Sequence, residues 1–189
     1  KTAEEIETLR RGGRLLAKIL ADVAVETRPG VSAKELDTLA EKLMQKAGGE
    51  SSFKGYNPYG APIAYPAALC VSINDEVVHA IPQKDRILKD GDLVSLDIGM
   101  LWPAEAASDA AKEAGVRGMY TDTALTVGVG KISSSAEKLR RVTEESLAEG
   151  IAAVRHGAHV GDIGFAIQSH LEKHGFGVVR DLAGHGVGY

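Results

Sequence analysis

The sequence lacks the features that mark several large classes of protein. Its 189 residues include one cysteine, Cys70, so no disulfide can form within the chain, and a reducing compartment is favoured. No apolar run approaches the roughly 18 residues of a membrane span, and residues 1–6 contain no signal-peptide core. The 22 basic and 26 acidic residues form no basic cluster, which argues against nucleic acid as a partner. We therefore expect a soluble, cytoplasmic protein that binds neither membrane nor nucleic acid.

Apolar periodicity predicts two pairs of helices separated by an antiparallel sheet, and hence an α+β fold. Ser32 with Glu35, and Ser134 with Glu137, have the spacing of the capping box that begins a helix. Short β-rich segments bounded by Gly, Pro, Asn and Asp predict strands. The helical stripes span residues 9–23, 36–47, 139–154 and 163–171, and the strands 68–73, 76–81, 93–98, 124–127 and 176–179.

The two helix pairs resemble each other at a fixed offset. Residues 28–36 align with 155–163, and 46–48 with 173–175, at an offset of 127 in both cases. We interpret this as one domain over residues 1–189, with a first repeat at 1–127 and a partial second repeat at 128–189. A pseudo-twofold fold with an incomplete second half follows if the offset is real, although similarity between capped helices can also arise by chance.

Three side chains are of the type that binds metal ions: Asp97, Asp122 and His185. Strand alternation places Asp97 opposite the apolar face, and an adjacent antiparallel strand would bring Asp122 to the same face. Two close carboxylates repel unless a cation lies between them. Oxygen ligands with one imidazole suit Mn, Fe, Co or Zn. Taken singly, each residue could equally be an ordinary turn or loop residue.

One further histidine stands in an apolar segment. His79 lies in Glu76-Val-Val-His-Ala-Ile-Pro82, where burial would require a hydrogen-bond partner or a function for the ring. Structural burial alone stays an equal alternative.

Four ordered segments of this sequence resemble the type I methionine aminopeptidases. They are residues 71–82, 89–99, 120–123 and 184–188, so the resemblance covers nearly the whole chain. It implies the pseudo-twofold "pita-bread" fold and metal-dependent hydrolysis of the first peptide bond after an N-terminal methionine. The expected substrates are the N-termini of nascent polypeptides, at the ribosome, and the full-length protein is expected to be a monomer.

The resemblance also implies residue roles. Asp97 would bind one divalent metal ion, Asp122 would bridge two, and His185 would bind the other. His79 would contact the substrate near the scissile amide and help stabilise the transition state. Tyr65 and Cys70 would line the pocket for the methionine side chain, because a soft, apolar wall suits a thioether, although both could equally be core residues.

The sequence departs from the family pattern in two ways. The family has two glutamate ligands and a second active-site histidine after the Gly-His-Gly loop, which this sequence does not supply, so we expect weak binding of paired metals and little hydrolysis. The two aspartates are separated by an insertion at residues 101–115, expected at the surface, and Asp109 lies nearer the customary spacing than Asp122. The residues around Asp122 favour it nevertheless. A proline-specific metallo-aminopeptidase and a non-catalytic binding module of the same fold are the alternatives.

Overall fold

The computed structural model describes residues 1–57, 61–107, 109–115 and 118–188. The chain divides into two compact units, Lys1–Lys131 together with Val187–Tyr189, and Ile132–Gly186. Among the described residues, no helix has the length and apolar character that crossing a membrane requires.

Two capped helices open the first unit. Helix α1 spans Ala3–Glu26 and helix α2 spans Ala33–Lys46. Thr2 and Ser32 are their N-caps, and each accepts a hydrogen bond from the backbone N–H of a glutamate three residues on, whose carboxylate accepts from the N–H of the cap. The capping box predicted at Ser32 is confirmed.

The strands of the first unit form one antiparallel sheet around β3. Strand β4 pairs with β3 over its whole length, whereas β1 and β2 share the other edge of β3. Three of the predicted strands are confirmed as β2, β3 and β4; β2 begins one residue later than predicted, and β3 and β4 are longer than predicted. The bounds are β1 Glu50–Ser51, β2 Leu69–Ile73, β3 Leu93–Trp102 and β4 Met119–Gly128.

The connection between β3 and β4 contains a 3-10 turn at Ala104–Ala107 and a short helix, α3, at Asp109–Glu113. The predicted insertion begins too early, because Leu101 and Trp102 still belong to β3. The indole N–H of Trp102 donates to Ala47 O at 3.0 Å, which fixes the end of β3 against the end of α2.

One face of the sheet forms the core of the first unit. Strand alternation turns the even-numbered residues of β3 toward α1 and α2, which pack over β3, β4 and β2. The odd-numbered residues, Asp97 among them, therefore lie on the opposite, more polar face. Core residues at most 1% exposed include Val94, Leu96, Ile98 and Met100 of β3, with Leu16, Val23, Leu36 and Met44 of the helices.

The second unit is a pair of packed helices, α4 (Ser134–Ala152) and α5 (Val160–Lys173). Gly150 permits their close approach, since a Cβ there would lie 2.9 Å from the side chain of Ile167. The capping box predicted at Ser134 is wrong, because Ser133 is the N-cap and its side chain accepts from the Ala136 N–H at 3.1 Å.

The helices predicted at 139–154 and 163–171 are confirmed as α4 and α5, whereas the predicted strand is not found. The strand predicted at 176–179 is irregular, since no described segment of this unit pairs with it. The apolar stripe of α4 is mostly exposed, and only Val142 is buried. Its exposed members are Leu139, Leu147, Ile151 and Val154.

One helix of each unit corresponds at the offset found in the sequence. The bounds of α2 and α5 differ by 127 residues at both ends. The glycines before and after each helix also correspond and adopt left-handed φ values: 90° at Gly30 and 82° at Gly157, then 74° at Gly48 and 84° at Gly175. Equivalent backbone turns thus frame equivalent helices. The extents of the two repeats, 1–127 and 128–189, stay a prediction.

Candidate metal centre and substrate pocket

The sheet register places Asp97 and Asp122 on one face as diagonal neighbours. Asp97 lies opposite Ala124, and Asp122 lies opposite Gly99 on the adjacent strand. Diagonal cross-strand neighbours are about 7–8 Å apart, close enough for their carboxylates to face a common cation. Asp97 is partly buried and Asp122 is exposed. The two acids expected to bind metal therefore lie together at the polar face.

A segment after β1 covers Gly99, between the two aspartates. The Ser52 N–H donates to Gly99 O at 3.1 Å, and a Cβ at Gly99 would lie 2.6 Å from Phe53 Cε1. Glycine is thus required here by the close approach of Ser52 and Phe53. The sequence gives no sign that Ser52 and Phe53 adjoin the aspartates, because their contact with Gly99 joins distant parts of the chain.

Aromatic and thiol side chains continue from this segment. The rings of Phe53 and Tyr65 meet edge to face, with centroids 6.4 Å apart and planes at 88°. Cys70, on β2, lies directly opposite Asp97 and is 3% exposed. The two residues expected to line the substrate pocket therefore lie near the aspartates, and the Phe53 ring lies against Tyr65 and Gly99.

The electrostatics of the thiol depend on burial and on both carboxylates. Burial, and to a smaller extent the charges of Asp97 and Asp122, raise the pKa of the Cys70 thiol to about 11, although the hydrogen bond with Tyr65 acts in the opposite direction. Burial likewise raises the pKa of Tyr65, with its hydrogen bond to Cys70 adding to the shift. Both side chains are therefore neutral at pH 7, as an apolar pocket requires.

His79 does not lie in a strand, so the strand predicted at 76–81 is wrong. The segment turns after β2, and Asn74 and His79 have left-handed φ values of 58° and 59°. The next carbonyl, Ala80 O, accepts from the Val71 N–H at 3.1 Å and lies 3.2 Å from the Tyr65 hydroxyl. These contacts hold a conformation that the apolar pattern alone does not indicate. His79 is exposed rather than buried.

Asp109 occupies a different setting from the two sheet aspartates. It begins α3, its side chain is 96% exposed, and its carboxylate lies 3.5 Å from Lys112 Nζ. It has no place in the register that joins Asp97 and Asp122.

Comparison with known proteins identifies the family to which the chain belongs. The model of metallopeptidase family M24 matches residues 7–189. The chain belongs to metallopeptidase family M24. A methionine aminopeptidase from Aquifex aeolicus is 41% identical over 184 residues, covering 97% of this chain and 66% of the relative. This chain therefore spans about two thirds of that protein's length.

Two solved structures agree with the expected pita-bread fold. A methionine aminopeptidase from Thermotoga maritima has a TM-score of 0.84 at 36% identity, covering 99% of this chain and 67% of that one. An Xaa-Pro dipeptidase from Bacillus anthracis has a TM-score of 0.72 at 20% identity, covering 100% of this chain and 46% of that one, and shows the fold alone. The α+β pita-bread class predicted from the sequence is confirmed.

Membership of a metallopeptidase family implies divalent metal ions, and the donor set of the first unit fits them. Asp97 and Asp122 offer carboxylate oxygens on one face, and their negative charges raise the pKa of the neighbouring Cys70 thiol. A divalent cation bound there would neutralise both carboxylates.

The third expected ligand, His185, belongs to the second unit. It is exposed in the irregular segment after α5, and its Nδ1 lies 3.0 Å from Gly186 O. If Nδ1 carries the hydrogen, Nε2 keeps the lone pair that a metal ion requires. Its role as a ligand stays a prediction from the sequence.

Proposed function

We propose that this M24 chain removes the N-terminal methionine from newly made proteins by hydrolysis of the first peptide bond. The observation that carries the proposal is the pair of carboxylates, Asp97 and Asp122, on the same sheet face as Cys70, with the Tyr65 and Phe53 rings nearby. The 41% identity to a protein named methionine aminopeptidase supports the same substrate class.

The proposed metal ligands are Asp97, Asp122 and His185, holding two ions of Co, Mn, Fe or Zn. Ions bound there supply Lewis-acid polarisation of the substrate carbonyl and a water-derived nucleophile at neutral pH. The diagonal placement of Asp97 and Asp122 lets each offer an oxygen to the same region of the polar face. Asp122 would hold both ions and Asp97 one of them. With two carboxylates and one imidazole as donors, we expect weak binding of the pair and weak turnover in this chain.

The pocket residues would select the substrate. An unbranched thioether suits polarisable and aromatic surroundings, which Cys70, Tyr65 and Phe53 offer without any charge. His79 would contact the substrate near the scissile amide and stabilise the transition state, with its backbone held by the bonds to Ala80 O. The substrates would be nascent chains at the ribosome, in the cytoplasm, and the protein would act as a monomer.

A proline-specific aminopeptidase is the less favoured enzyme, since the sequence around His79 resembles that of the methionine-type enzymes. A binding module without metals is less favoured too, because two neighbouring carboxylates facing one region repel unless something neutralises them.

The test supplies the chain with Mn²⁺ and peptides that differ only in their first two residues. We expect slow release of the first residue from Met-Ala-Ser and none from Leu-Ala-Ser. Asp97→Asn should abolish this release. Faster cleavage of Ala-Pro-Ser would favour the proline-specific alternative. Absence of both turnover and Mn²⁺ binding would favour the binding module.

A further inference from the structure

Three side chains of types that can bind metal ions meet between α4 and α5. The proposed catalytic site does not use them. Glu145 projects from α4, while His170 and His174 lie one turn apart at the end of α5. One potential ligand atom from each residue lies within 4.8 Å of the other two. All three side chains are partly buried, so neighbouring residues surround the cluster while an ion can still reach it from solvent.

The distances approach those of a coordination sphere. His170 Nε2 lies 3.3 Å from Glu145 Oε2, and the two imidazole rings lie 4.6 Å apart with planes at 36°. A tetrahedral ion with metal–nitrogen bonds of about 2.0–2.1 Å separates neighbouring ligand atoms by about 3.3–3.5 Å. The Glu145–His170 pair already has this spacing. The remaining separations are at most 4.8 Å, so the side chains would have to close by up to about 1.4 Å around a bound ion.

A backbone contact prepares one imidazole for a metal ion. His174 Nδ1 lies 2.9 Å from His170 O, so the ring donates its Nδ1 hydrogen to a carbonyl. The Nε2 atom of His174 then carries the free lone pair. This arrangement, with one ring nitrogen bonded to a carbonyl and the other directed to a metal, is the usual one for metal-binding histidines.

Neighbouring cations leave one carboxylate oxygen available. Arg141 contacts Glu145 Oε1 at 2.5 Å, whereas Oε2 faces His170. Lys138 Nζ donates to His174 O at 3.0 Å and so is held by a carbonyl. Arg141 and His170 also lower the pKa of Glu145, which keeps the carboxylate ionised. Two imidazoles and one carboxylate suit Zn²⁺, Cu²⁺, Ni²⁺ or Co²⁺ better than Mg²⁺ or Ca²⁺.

We propose that Glu145, His170 and His174 form a second metal site, which binds one borderline transition-metal ion such as Zn²⁺. It shares no ligand with the catalytic site proposed for the family. Because its ligands come from both helices, the bound ion joins α4 to α5.

The test measures Zn²⁺ binding to the full 189-residue chain by calorimetry, in an Asp97→Asn, Asp122→Asn background that removes the other carboxylates. Glu145→Gln, His170→Ala and His174→Ala should each weaken binding at least about tenfold, as loss of a direct ligand should cost no less than loss of its supporting contacts. His156→Ala is the matched control, since His156 is an exposed histidine of the same unit, and its affinity should be unchanged.

Cu²⁺ provides an independent readout of the ligands. Electron paramagnetic resonance of the background chain with one equivalent of Cu²⁺ should show two imidazole nitrogens, and His174→Ala should show one. Circular dichroism checks folding, and Glu145→Gln, which keeps the size of the side chain, decides the matter if His170→Ala unfolds. Equal Zn²⁺ affinity in the background chain and in Glu145→Gln and His174→Ala would overturn the proposal, as would a Cu²⁺ spectrum that His174→Ala leaves unchanged.

Discussion

Replacement of Gly99 by alanine tests whether Ser52 and Phe53 lie across the sheet between the aspartates. The new methyl group would lie 2.6 Å from Phe53 Cε1 and 3.1 Å from Cδ1, and would also overlap Ser52 Oγ. The covering segment cannot shift freely, because the Ser52 N–H is bonded to Gly99 O at 3.1 Å and the Phe53 N–H to Ser51 Oγ at 3.1 Å. The Ser52 hydroxyl and the Phe53 ring must therefore rotate away from the new methyl group, or their segment must move away from β3.

The expected cost combines two opposing effects. Overpacking of a closely packed site costs about 1–3 kcal/mol. Replacing glycine reduces the entropy of the unfolded chain and returns about 0.4–1 kcal/mol. We expect Gly99→Ala to lower the free energy of unfolding by about 1–2 kcal/mol, measured as a shift of the urea midpoint at constant slope.

Gly13→Ala is the matched control in the same unit. It lies within α1, and the nearest atom to a new Cβ is Thr121 Cγ2 at 3.9 Å, an ordinary contact. We expect it to stabilise the protein by about 0.8–1 kcal/mol, the helix-propensity difference between alanine and glycine. If Gly99→Ala matches the wild-type stability or exceeds it, Ser52 and Phe53 do not cover the metal face as described.

Two further predictions concern buried polar groups near the pocket. Cys70, the single cysteine, should react with iodoacetamide at pH 8 about a hundredfold more slowly than in the unfolded chain, since its pKa is about 11 against an ordinary 9.0. Because the folded state favours the protonated thiol, the stability relative to Cys70→Ser should be constant below pH 9 and fall as the pH rises toward 11. A stability difference that does not change with pH would contradict this assignment. Asp37 is 1% exposed and accepts hydrogen bonds from the Ala68 and Leu69 N–H groups at 2.7 and 3.1 Å. Asp37→Ala should therefore lower the free energy of unfolding, measured by urea titration, by about 1–3 kcal/mol for each of the two donors left without an acceptor. Asp37→Asn, which keeps one acceptor oxygen, should cost less, and equal costs for the two variants would contradict this explanation.

The predictable parts of the fold were those governed by local periodicity. The two-residue alternation of β3 places Asp97 opposite the core face, and the three-residue spacing from Ser32 to Glu35 fixes the start of α2. The sequence offset of 127 is also found in the bounds of α2 and α5. In each case the responsible interaction lies within one element or between adjacent ones.

The features missed by sequence reasoning depend on contacts between distant residues. The segment containing His79 has an apolar pattern typical of a strand, yet left-handed residues and the bonds to Ala80 O turn it away from the sheet. Phe53 reaches Gly99 across 46 residues of sequence, and no periodic pattern records such a contact. The cluster of Glu145, His170 and His174 likewise depends on which faces of α4 and α5 meet.

Mn²⁺ binding tests the central claim, that Asp97 and Asp122 form the metal centre, most directly. Calorimetry would compare Asp97→Asn, Asp122→Asn and Asp109→Asn in a chain that also carries His174→Ala, so that the proposed site between α4 and α5 is impaired. We predict that the first two changes weaken Mn²⁺ binding at least about tenfold, as loss of a ligand should, and that Asp109→Asn leaves it unchanged. Weaker binding in Asp109→Asn with full binding in Asp122→Asn would contradict the account.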